Sequence, residues 1–137
     1  MSMFKEEITL ENARDRAMAD NGALKEEEVR LLKVEAIPDT GAWSLVINED
    51  VRQKLGLAIK KKRQSTLADG TSISYDVTDT VIVQWKNRDF PVPAIVLPGA
   101  KEVLIGALPL EGMDLMVDPV HGKLVGVHGE EEVNMIL

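Results

Sequence analysis

Two apolar segments interrupted by an acid, a hydroxyl and a bare backbone constrain this chain more than any other feature. Glu35-Ala36-Ile37-Pro38 runs into Asp39-Thr40-Gly41-Ala42, and Trp43-Ser44-Leu45-Val46-Ile47 follows. Leu32, Val34 and Ala36 share one face of a strand over residues 29–37, and residues 43–47 read as a second, buried strand. The turn between them puts a carboxylate and a hydroxyl where Val or Ile is expected. Such a turn can set an aspartate beside a second one, and Gly41 lets another chain approach closely.

The flanking sequence supplies β-structure. Residues 4–10 alternate apolar and polar and predict a strand, while residues 11–23 read as irregular, with a turn at Asp20-Asn21-Gly22. Asn48 is an expected N-cap, with Glu49 and Asp50 in the first turn, Gly56 as the stop and Leu57 for the contact beyond it. A hairpin is predicted from residues 65–68 and 71–77 around the tight turn Asp69-Gly70. Val81, Val83 and Trp85 then face one way along residues 80–85, and Asn87-Arg88-Asp89 turns the chain. Pro91 and Pro93 argue that residues 90–97 form an edge strand or start irregularly. Residues 102–106 are a further apolar strand ending in glycine, residues 107–112 one helical turn, and residues 113–117 and 124–127 two more strands. No repeat or linker divides the chain, so a single domain over residues 1–137 is expected.

Composition narrows the function classes. With 45% hydrophobic residues the chain is ordinary for a folded domain, and no apolar run reaches bilayer-spanning length; a soluble, cytoplasmic protein without a membrane partner is the expectation. Cysteine is absent, which removes disulfides and thiolate chemistry. Two histidines far from any acidic cluster give no basis for a metal site, and no cofactor is expected. A net charge of −7 argues against nucleic acid as the main partner. The basic run Lys60-Lys61-Lys62-Arg63 reads as a solvated link between elements.

Taken together, Asp39-Thr40-Gly41-Ala42 on an apolar strand, a downstream hairpin, Leu104-Ile105-Gly106 and a closing helix and strand over residues 108–117 resemble the retropepsin-like aspartic proteases, most of all the small bacterial single-domain type. The likeness runs from about Val29 to Val127. It implies an all-β fold, a single-lobe closed β-barrel with one or two short helices, that works as a homodimer on an extended polypeptide substrate. It implies that Asp39, Thr40 and Gly41 are catalytic, Thr40 by bonding across the dimer axis. Ala42, the hairpin tip Ala68, Asp69 and Gly70, and Ile105 with Gly106 beneath the loop would hold the substrate or its frame. Paired carboxylates are the established device of these enzymes: two aspartates in contact cannot both ionise, so one activates water while the other polarises the carbonyl.

Each residue also has a plainer reading. Thr40 reads equally as a β-former, Ile105 as core, and the hairpin as an ordinary surface hairpin; His121 and His128 read as solvated turn residues. The chain departs from retroviral members in carrying Trp43 and Ala107 where they often pair Asp with Arg, and Pro38 where an aliphatic residue is usual. Only one Asp-Thr-Gly is present, so a second acid has to come from another copy. The competing function is a catalytically silent dimer that binds peptides or serves as an interaction module. The tail, residues 133–137, reads as either an interface strand or a frayed end.

Overall fold

Alternating burial on consecutive strands drives the architecture, because each strand has one face to hide and the ring closes over all of them. In a computed structural model, which describes residues 4–129, the strands are β1 (Glu6–Asn12), β2 (Leu31–Pro38), β3 (Leu45–Ile47), β4 (Ile59–Thr66), β5 (Ser72–Trp85), β6 (Arg88–Val96), β7 (Val103–Ile105), β8 (Leu115–Asp118) and β9 (Lys123–Gly126). Hydrogen bonding follows the order β1-β2-β7-β3-β6-β5, and pairing of β1 with β5 closes a six-stranded barrel. Its core is mainly aliphatic, built on Ile8, Leu10, Leu45, Val81, Val83 and Ile105, with Trp85 among them. Each such side chain removed from water contributes about 1.5–3 kcal/mol. Outside the ring, β4 extends β5 as a hairpin arm, and β8 with β9 forms a separate two-stranded sheet.

The helices are short: α1 (Ala13–Asp20), α2 (Glu49–Leu55) and α3 (Ala107–Gly112). Expected punctuation holds for α2, where the Asn48 side chain accepts from Val51 N at 2.9 Å and Gly56 adopts φ 64°. The α1 segment corrects the irregular reading of residues 11–23 and brings the α-helices among the described residues to three, beside a 3-10 turn at Glu26–Glu28. The apolar residues of α1, Ala13, Ala17, Met18 and Ala19, bury no face of it; Asp15 is its one buried residue, and tertiary contacts hold it instead. Asn12 caps it through Asp15 N and donates to Leu55 O at 2.9 Å. The buried Asp15 carboxylate accepts from Arg30 Nε at 2.8 Å, Nη2 at 3.0 Å and backbone N at 3.0 Å.

Four other expectations are corrected. Residues 72–85 form one strand, bent by a register shift between Val77 and Thr80, where Thr78 Oγ1 accepts from Ala94 N at 3.1 Å. The hairpin turn spans residues 67–71, longer than a two-residue Asp-Gly turn. The basic run lies inside β4, exposed as expected but in a strand instead of a link. Finally, β6 is interior, between β3 and β5. Its prolines fit because Pro93 O accepts from Ser44 Oγ, so that edge of the backbone faces β3, whose ladder begins only at Ala94. Residues 133–137 lie outside the described residues.

Candidate active site

The Asp39 loop is the end of β2, and its shape follows from local bonds. Asp39 N donates to Ile105 O at 2.9 Å, continuing the parallel β2–β7 ladder by one residue. Since Asp39 turns its nitrogen to β7, Pro38 turns its own to the opposite edge, beyond the last β1 pair at Ala36, and no ladder bond is lost. Ala42 N donates to Asp39 O at 3.0 Å, and Gly41 N donates to Asp39 Oδ1 at 2.9 Å, an aspartate turning the chain through its own side chain. A Cβ on Gly41 would stand 3.1 Å from that same oxygen, so glycine leaves the carboxylate its position. Asp39 is half-buried, Thr40 and Gly41 are exposed, and Ala42 is half-buried.

Ile105 and Gly106 form the floor. Ile105 is fully buried, Gly106 N donates to Ser44 O at 3.0 Å, and Ala107 N donates to Ala42 O at 2.9 Å. A Cβ on Gly106 would sit 2.3 Å from Ser44 O and 2.6 Å from Ala42 O, both backbone atoms. The loop after Asp39 and the start of α3 are therefore laced together, and only glycine fits between them. This lacing also corrects the reading of residues 43–47 as one buried strand. Residues 43 and 44 belong to the loop, the strand starts at Leu45, and Trp43 is 65% exposed. Trp85, by contrast, is 4% exposed and sits in the core.

The structure thus brings together Asp39, Gly41, Ala42, Ile105 and Gly106, with Thr40 at the exposed corner. Ala68, Asp69 and Gly70 stand apart, at the solvent-exposed tip of the β4–β5 hairpin. There Gly70 takes φ 87°, and Asp69 Oδ1 accepts from Thr71 N at 2.9 Å and Oγ1 at 2.6 Å. Those bonds, the hydroxyl's first, hold the Asp69 carboxyl below its ordinary range.

Between the loop and the hairpin lies a cleft of about 270 Å³. Trp43, Pro93 and Ile95 form one wall; Tyr75 and Val77 of the hairpin, with Lys61 and Arg63, form the other. Lys61 and Arg63, like Tyr75, Pro93 and Ile95, are wall residues that sequence reasoning passes over; the signal for the two cations was the basic run, but its facing depends on the β4–β5 register.

Four other aspartates are occupied elsewhere. Asp76 pairs with Lys62 at 3.2 Å, Asp79 with Arg14, Asp114 with His128 at 2.7 Å and Asp118 with His121 at 2.8 Å. Among the described residues no cluster of acids, histidines or cysteines is arranged to hold a metal, and no helix is long and apolar enough to cross a membrane.

Comparison with known proteins gives three results. No curated protein matches the chain. Among solved structures it is similar to a retropepsin-like aspartic protease from Rickettsia conorii, with 17% identity and a TM-score of 0.44 over 86% of this chain and 89% of that one. The family profile described as "Aspartyl protease" matches residues 21–113, a span that runs from the approach to β2 through the end of α3. That span covers well over half of the sequence and contains both the Asp39 loop and its Ile105-Gly106 floor; the chain belongs to the aspartyl protease family.

Proposed function

We propose that the protein is a homodimeric aspartic endopeptidase, in which Asp39 from each of two copies activates one water for attack on a peptide bond. The observation that carries this reading is the Asp39 loop: a half-buried carboxylate on a turn tied to β7 and α3, with Asp69, Asp76, Asp79, Asp114 and Asp118 each bonded to other groups. A lone carboxylate has no means of being base and acid together. Two related by a twofold axis share one proton and divide those roles. The charged member takes a proton from the water as its oxygen attacks the carbonyl carbon. The protonated member donates toward the carbonyl oxygen, and the amide nitrogen leaves with a proton when the tetrahedral intermediate collapses. Thr40, exposed at the corner of the loop, bonds across the axis, and Gly41 gives the substrate backbone room. The open edge of β4 and the tip Ala68-Asp69-Gly70 cover an extended polypeptide by strand addition.

Peptide digestion from acid to neutral pH, comparing wild type with Asp39→Asn, tests the reading. Cleavage by wild type with a bell-shaped profile, lost in the variant, is the expected result. Equal or absent cleavage by both proteins leaves the silent peptide-binding module. Sedimentation adds a second check, since a strict monomer has no assembled site.

A further inference from the structure

The basic run on β4 splits by facing. Lys61 pairs opposite Val77, Lys62 opposite Asp76 and Arg63 opposite Tyr75, so Lys61 and Arg63 share one face of the hairpin and Lys62 the other. The charges split the same way. Lys60 lies 3.8 Å from Asp79 and Lys62 3.2 Å from Asp76, whereas among the described residues no carboxylate pairs with Lys61 or Arg63. Those two cations line the cleft opposite Trp43, and the cleft contains no Asp or Glu. In a chain with 23 acidic and 16 basic residues, a cleft with two unpaired cations and no acid is a local reversal of charge.

Lysines on an edge strand also discourage sheet-to-sheet association. That role asks only for exposure and is met by either face, so it leaves the one-sided pairing unexplained. Trp43, Val77 and Ile95 add apolar walls that a peptide's stem and backbone can lie against, while the cations stand ready for a carboxylate. We infer that this cleft takes an acidic side chain of a polypeptide substrate, held by Lys61 and Arg63, and so gives the protein a preference for Glu or Asp near the scissile bond. The word substrate rests on the endopeptidase reading above; the charge preference of the cleft does not.

The test uses the full chain and peptide sets identical except for Glu, Gln or Lys at one position, scanned along the peptide. Wild type is expected to favour Glu over Gln in kcat/KM by about tenfold at one position, as one charge-assisted contact would give, and to disfavour Lys further. Added salt shrinks the preference. Lys61→Glu with Arg63→Glu is expected to invert the order, and Lys62→Gln, on the other face, to leave it unchanged. Should the doubly reversed protein fail to fold, Lys61→Gln and Arg63→Gln singly are each expected to flatten the preference. Binding is read in parallel on Asp39→Asn by tryptophan fluorescence, because Trp43 lies exposed in the cleft while Trp85, the other of the two, is buried. Charge-dependent binding without cleavage by wild type would remove the endopeptidase reading and uphold the cleft. Cleavage that ignores peptide charge, or a cleavage preference that survives removal of both cations, overturns the inference and leaves the endopeptidase reading standing; charge-blind binding without cleavage overturns both. Peptides that are neither cleaved nor bound overturn both.

Discussion

Around Asp39 each turn is bonded to a distant segment: Asp39 N to Ile105 O, Gly106 N to Ser44 O, Ala107 N to Ala42 O and Leu108 N to Trp43 O. In the β4–β5 hairpin the bonds out to the tip are those of its own ladder, and β4 has β5 as its sole neighbouring strand among the described residues. The loop is over-determined by the barrel, and the arm is a two-stranded ribbon in water, a marginal structure by itself. The contrast teaches a division of labour. On the proposed reading, the group that has to meet its twin in one geometry is built on crossing bonds, and the group that has to let a polypeptide in and out is built on local ones.

Four changes would break or sharpen that contrast. Asp39→Asn has the largest expected effect, a fall in kcat/KM of about a thousandfold, as loss of an acid–base group gives. Its melting temperature should hardly move, because the amide oxygen can still accept from Gly41 N. Gly106→Ala comes next. Its methyl has backbone on both sides, and unfolding in denaturant should show a loss of about 3 kcal/mol, the upper part of the overpacking range.

Asp15→Asn follows, with about 1–3 kcal/mol lost as the Arg30 bonds weaken. This pair also sets a pH dependence. The Arg30 guanidinium holds the Asp15 carboxyl below its ordinary value, so its contribution is full above the unfolded carboxyl's pKa and disappears as pH falls through the folded one. Denaturation curves in acid should therefore lose part of their slope in the Asn variant.

Gly70→Ala is the smallest. Forcing a side chain to φ 87° costs about 1 kcal/mol, and the added methyl meets nothing within 4 Å. Amide exchange in β4 and the paired half of β5 should quicken about fivefold while the barrel strands keep their protection.

What could be read from the sequence was what is decided by neighbours in the chain. Asp39-Thr40-Gly41 turns on its own side chain, Asn48 and Gly56 bracket α2 by capping, and residues 107–112 form the expected helical turn. What escaped reading is decided by distant partners. The α1 helix, which buries no apolar face, depends on Leu55 O and Arg30, and the interior place of β6 depends on where β3 begins. The facing of Lys61 and Arg63 depends on a register shift between Ile59 and Lys61, which no periodicity count in the run itself contains.

The central claim is that each active centre draws one Asp39 from each of two copies. Mixing wild type with Asp39→Asn under conditions of subunit exchange, at constant total protein, measures it directly. Equal proportions should retain about a quarter of the wild-type activity, since about that share of random pairs carries both acids. Activity of about one half, falling in simple proportion to the wild-type fraction, would mean that a single chain suffices and would contradict the account.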